Sequence, residues 1–122
     1  MAMASDILRG YTDTILLCRL SFRDSYGYEI NKIITAKSGG ALEMKEATLY
    51  TAFRRMESAG LIESYWGDEQ SGARRRYYRI TDKGMEKARE DLKTWEQTKA
   101  LLEALLILDD ETDTEEEGEG NA

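Results

Sequence analysis

From Ile7 to Leu20 the apolar positions Ile7, Leu8, Tyr11, Ile15, Leu16, Cys18 and Leu20 recur at helical spacing, which predicts a first amphipathic helix ending near Ser21. Asp24 and Ser25 offer an N-cap, Glu29 suits the positive end of a helix dipole, and Tyr26, Ile30, Ile33 and Ile34 carry a second helix up to Gly39-Gly40. A third helix is expected from about Lys45 to Ser58, with Gly60 as the left-handed residue beyond its end. Its core face is Leu49, Phe53 and Met56, and its opposite face carries Ala47, Thr51, Arg54 and Ser58, with Thr48, Tyr50 and Arg55 on the flanks. Leu61 to Trp66 alternates and is rich in β-formers, and Arg75 to Ile80 answers it across a glycine-bounded tip, so the two read as an antiparallel pair. Thr81 caps a last helix from Asp82 to about Leu108. Its stripe of Met85, Ala88, Leu92, Trp95, Leu102 and Leu106 is broken once, by Lys99. One helix this long cannot bury its stripe against so small a body, which points to a second subunit.

With 122 residues the chain holds one modest core. The expected organisation is a body over 1–81, a helix over 82–108 and an acidic, low-complexity tail over 109–122. There is no apolar run of about 18 residues and no secretory signal pattern, so the expected location is the cytoplasm. Histidine is absent and Cys18 is the single cysteine, which argues against a metal site, a cofactor-dependent centre or a catalytic triad. No enzyme is expected, and Cys18 reads as an inert buried thiol. The net charge of −7 is misleading as a whole. Residues 109–122 carry eight carboxylates and no base, so removing that −8 leaves +1 for residues 1–108. The tail is either a solubilising extension or a competitor of nucleic acid for the basic residues.

The positive charge is concentrated where it can act. Arg74, Arg75, Arg76 and Arg79 crowd the hairpin, directly after a helix whose outer face is small, hydroxyl-bearing and cationic. That pairing suits duplex DNA, with Lys45, Thr48, Tyr50, Thr51, Arg54 and Arg55 on the third helix and Arg74, Arg75 and Arg76 on the hairpin. Helix, helix, helix, strand, hairpin tip, strand is the order of a winged helix-turn-helix domain. The expected fold class is therefore mainly α with a small β-hairpin, completed by one long C-terminal dimerisation helix.

The segments Tyr26-Gly27-Tyr28-Glu29-Ile30, Ala47-Thr48-Leu49-Tyr50, Glu57-Ser58-Ala59-Gly60-Leu61-Ile62 and the run from Gly72 to Gly84 together resemble PadR-like transcriptional regulators, across residues 7–108. The likeness is to the short subfamily with a single C-terminal helix, and most to its lactococcal multidrug-responsive member. The resemblance implies a homodimeric repressor on an inverted-repeat operator. It also implies a planar aromatic effector held between subunits by Trp95, with Ile7, Tyr11, Asp13, Thr14, Leu92 and Lys99 around it. Lys99 departs from the acidic residue of the multidrug-binding relative, and Asp13 and Thr14 replace an amide and a valine. Trp95 is equally explained as a dimer-core anchor. A small-molecule-sequestering protein and a helical protein-interaction module are the alternative functions.

Overall fold

The structure, a computed structural model, describes residues 8–67 and 74–107. Ile7, the hairpin tip at 68–73 and the acidic tail lie outside the described residues. The chain divides into two units, Met1–Leu92 and Lys93–Ala122, so the first unit continues past Thr81 into the last helix.

The first unit opens with a 3-10 turn, Arg9–Tyr11, followed by helix α1, Thr12–Phe22. The single helix expected from Ile7 thus takes its regular form only from Thr12. Gly10 is a weak helix former at this point, and the Thr12 hydroxyl bonds to the Arg9 carbonyl at 3.1 Å across the tighter turn. A two-residue strand β1, Ser25–Tyr26, precedes α2, Gly27–Lys37. This corrects the N-cap expected at Asp24-Ser25. Tyr26 occupies the cap position with no side-chain cap bond, while the Ser25 hydroxyl donates to Glu29 and Asp24 serves the sheet instead. The Schellman-like end of α2 uses Gly39 and Gly40, both at positive φ.

Asn31 sets the approach to the next helix from both sides of one peptide. Its amide donates to the Met44 carbonyl at 2.8 Å, and its side-chain oxygen accepts from the Met44 N–H at 3.0 Å. Helix α3, Glu46–Ser58, follows with Leu49, Ala52, Phe53 and Met56 buried, the face read from the sequence plus one alanine. Strands β2, Ile62–Trp66, and β3, Arg76–Ile80, then form the expected pair. The sheet has three strands rather than two, because β1 adds to β3 with Ser25 opposite Tyr78 and Tyr26 opposite Tyr77. Its buried side meets α3 through Tyr78, stacked on fully buried Phe53 at 4.0 Å between ring centroids.

Helix α4, Asp82–Leu106, is capped as the sequence indicated: the Thr81 hydroxyl accepts from the Gly84 N–H at 3.0 Å and donates to the Gly60 carbonyl at 2.7 Å. The core joins Leu16, Leu17 and Leu20 of α1 to Ile30 and Ile34 of α2, the α3 face, Leu61, Ile62 and Tyr78, with Ala88 of α4 closing one side. In the second unit the helix leaves Trp95, Leu102 and Leu106 exposed.

Candidate nucleic-acid interface

An amphipathic helix fixed by its apolar face presents the opposite face as a rigid array. On α3 the buried set turns Thr48, Thr51 and Arg54 outward, all exposed, with exposed Lys45 at the N-cap position. The Arg54 guanidinium donates to the Thr51 hydroxyl at 3.4 Å, and no carboxylate contacts it among the described residues. A hydroxyl, a guanidinium and a lysine on one open face are the donors that phosphates and purine edges accept.

The other two expected α3 residues are placed differently. Arg55 reaches back to Asp13 of α1 in an ion pair and a pair of hydrogen bonds, so its charge is partly committed within the fold. Tyr50 is half-buried and lies over α2: a Cβ added at Gly27 would sit 2.5 Å from its hydroxyl. Its ring also meets Phe53 edge-on at 5.7 Å. The hydroxyl is thereby delivered to the mouth of α2, on the side of the hairpin arginines.

Those arginines divide by what they touch. Arg76 contacts Glu57 at 3.5 Å and donates to the Ser64 hydroxyl at 2.8 Å. Arg79 bonds to Asp24 at 3.3 Å and lies 3.8 Å from Glu63. Arg75 sits over the Tyr26 ring at 4.6 Å and Arg74 over the Trp66 ring at 5.4 Å. Surface cation–π contacts of this sort contribute about 0.5–1 kcal/mol and leave the guanidinium edge open to other acceptors. Arg74 and Arg75 are thus held on aromatic faces of the sheet.

Beneath them runs an aromatic ladder across the sheet. Tyr65 stacks on Tyr77 at 5.6 Å and Tyr26 meets Tyr77 edge-on at 5.3 Å. The Tyr65 hydroxyl donates to Asp24 at 2.5 Å, and this bond, more than burial, raises its pKa. Asp24, Tyr26, Gly27 and Trp66 position the wing, yet the sequence reading assigned them no site role. The signal available was the density of tyrosines in short β-prone stretches, which becomes a ladder only once β1 joins the sheet.

Of the residues expected around an effector, Asp13 and Thr14 come together in a groove of roughly 660 Å³ between α1, α3 and the start of α4. Each already has a partner, Asp13 with Arg55 and Thr14 donating to Asp91 at 2.9 Å. Tyr11 is half-buried and Leu92 exposed in the first unit, Trp95 and Lys99 belong to the second, and Ile7 is outside the described residues. Cys18 lies partly buried, and burial followed by the Asp91 charge raises its thiol pKa. Among the described residues no cluster of three or more His, Cys, Asp or Glu side chains could hold a metal ion. None of the described helices is long and apolar enough to cross a membrane.

Comparison with known proteins gives this geometry a setting. A family profile described as the transcriptional regulator PadR-like family matches residues 16–90. The solved structure of a transcriptional regulator from Clostridium thermocellum is 46% identical, with 84% of this chain and 100% of that chain covered and a TM-score of 0.76. A PadR family transcription regulator from Clostridium difficile is 37% identical over 80% of this chain and 99% of its own, with a TM-score of 0.70. A PadR family transcriptional regulator from Eggerthella lenta is 32% identical over 88% and 92%, with a TM-score of 0.74.

Proposed function

The chain belongs to the PadR-like family of transcriptional regulators, and on that premise we propose that it is a dimeric repressor whose grip on an inverted-repeat operator is tuned by an aromatic effector. As a member of that family it is a DNA-binding regulator and not an enzyme. The observation that carries the finer reading is the outward face of α3, with Thr48, Thr51 and Arg54 exposed opposite a fully apolar core face.

In this reading α3 enters the major groove, Thr51 and Arg54 read base edges, and Arg74 and Arg75 hold the flanking phosphates. Two such helices, related by a two-fold axis, address half-sites about one duplex turn apart. The dimer is supported by α4: Leu92, Trp95, Leu102 and Leu106 share the apolar stripe and all are exposed in the single protomer, Leu106 by 70%. An aromatic molecule stacked on Trp95 between subunits changes the separation of the two reading helices, and that geometric change weakens the fit to a fixed operator spacing.

The test is an anisotropy titration of operator-bearing duplex from upstream of the gene, at several salt concentrations. Thr51→Ala and Arg54→Ala should lower specific affinity while sparing non-specific binding. Tight small-molecule binding without any salt-sensitive DNA affinity would instead identify a sequestering protein, and a monomeric chain would identify an interaction module.

A further inference from the structure

Arg55 follows Arg54 directly on α3, yet the two guanidinium groups are used differently. At the helical advance of about 100° per residue, Arg55 falls almost in line with Thr48, two turns earlier. Both line the groove between α1, α3 and the start of α4, together with Thr51. Its cation therefore sits at the edge of the outward face, where a duplex laid against α3 carries a phosphate strand past it. Among the described residues no carboxylate contacts Arg54. Arg55 is taken by Asp13, with Nη2 on Oδ1 in an ion pair and Nε on Oδ2 at 3.4 Å.

The form of this contact matters more than its strength. The edge that carries Nε and Nη2 is a fork with which arginine grips a carboxylate or a phosphate by two parallel bonds. Asp13 fills that fork, so it stands where a phosphate would. Both ends are carried by anchored elements. Asp13 lies in the first turn of α1, one turn before the fully buried Leu16 and Leu17, and Arg55 is placed between buried Ala52 and Met56. Asp91, the other carboxylate of the groove, accepts from Lys87 Nζ at 3.1 and 3.2 Å and from the Thr14 hydroxyl at 2.9 Å. Arg9 adds a further cation to the lining. The Arg55 side chain remains 54% exposed, so water and salt screen the pair and a competing anion can reach it.

We infer that Asp13 is a positioning residue that withholds Arg55 from DNA and so sets the level of sequence-independent affinity. The inference rests on the reading of α3 as the DNA-facing helix. A phosphate carries no base identity, so releasing Arg55 adds one backbone contact on every duplex alike. In that it differs from Thr51 and Arg54, whose loss is read in specificity. Because an exposed ion pair is weak, the restraint is graded, a matter of about two- to fivefold in affinity.

The experiment is an anisotropy titration of the full chain at several salt concentrations, with the duplex from upstream of the gene and a scrambled duplex of equal length. Asp13→Asn and Asp13→Ala should tighten both duplexes by the same factor of about two to five. They should also steepen the slope of log affinity against log salt by about 0.9, the increment of one phosphate contact. Asp13→Glu, which keeps the carboxylate, should stay nearer wild type. In an Arg55→Gln background, Asp13→Asn should lose its effect. A gain that survives Arg55→Gln is bulk charge removal or release of Arg9, and it overturns the inference. Weaker binding by Asp13→Asn does the same, since Asp13 would then aim Arg55 at the duplex. Should the Asp13 variants fail to fold, Arg55→Gln is compared with Arg75→Gln, which removes the same charge from the wing. Arg55→Gln should lose less affinity for the scrambled duplex, and an equal loss means that Arg55 already holds a phosphate and overturns the inference. If neither wild type nor any variant binds either duplex at low salt, the reading of α3 falls and the inference with it. If wild type binds and Asp13→Asn binds no tighter, the inference alone falls.

Discussion

Gly27 and Gly84 show how single positions set the site by close approach rather than by backbone freedom. At Gly27 a methyl group would collide with the Tyr50 ring and hydroxyl, and at Gly84 it would overlap the Leu61 carbonyl oxygen and press on Ile80 at 2.7 Å. Gly27→Ala should cost about 1–3 kcal/mol and displace Tyr50 toward solvent, which urea denaturation and tyrosine fluorescence would register. A neutral effect would mean that α2 and α3 can slide apart. Three ionisable groups with raised pKa make a second prediction. Burial raises the pKa of Cys18 from its ordinary 9.0 and of Tyr78 from 10.0, and the bond to Asp24 raises that of Tyr65. In each case the folded state holds the proton more tightly than the unfolded chain. The associated stability is fully present below the unfolded pKa and is lost as pH rises through the folded one. Unfolding free energy should thus fall above about pH 9, with Cys18→Ser shifting the onset toward the tyrosine range. At neutral pH the thiol should alkylate slowly in native protein and rapidly in urea.

Secondary elements act here in coupled pairs. Helix α3 and the sheet are joined through the stacked rings of Phe53 and Tyr78, which tie the proposed reading helix to the wing. Phe53→Ala should destabilise by about 3–5 kcal/mol and degrade DNA binding through loss of that coupling, measurable by thermal melting beside anisotropy. Along α3 itself the charges separate into two roles. Arg54 faces outward with Thr51, whereas Arg55 is tied to Asp13 of α1. Arg54→Ala should therefore lower operator affinity with little change in melting temperature, while Arg55→Ala should lose at most about 1 kcal/mol of stability and less DNA affinity than Arg54→Ala. The opposite ranking of the two on DNA would place Arg55, not Arg54, at the bases. On the wing, Arg75→Gln should weaken all duplexes alike and flatten the salt dependence, since a phosphate contact carries no sequence information.

At the scale of the molecule, the striped face of α4 is the open account of apolar surface. Leu92, Trp95, Leu102 and Leu106 are exposed, and the proposed dimer would bury them. Sedimentation equilibrium should find a dimer, and Leu102→Asp should convert it to monomer while the first unit keeps its circular dichroism and near-native melting. Loss of the dimer should lower operator affinity far more than non-specific affinity, because only the former needs two helices in register. The uneven charge of the chain acts at the same scale. A tail of eight carboxylates beside a body of near-neutral charge should weaken non-specific binding at low salt, and deletion of residues 109–122 should restore it.

The sequence by itself determined the apolar face of α3, the Thr81 cap and the left-handed Gly60, because each follows from local spacing and local chemistry. It also determined the outward Thr48, Thr51 and Arg54, since an exposed helix face is the complement of its buried one. The tertiary structure alone decided the third strand, since a two-residue strand such as Ser25-Tyr26 carries no alternation to read and exists only because β3 offers it an edge. It likewise decided which arginines are committed. Arg55 and Asp13 are 42 residues apart in sequence, and Arg79 and Asp24 are 55 apart. Ion pairs of that span are set by how elements pack, and no periodicity along the chain encodes them.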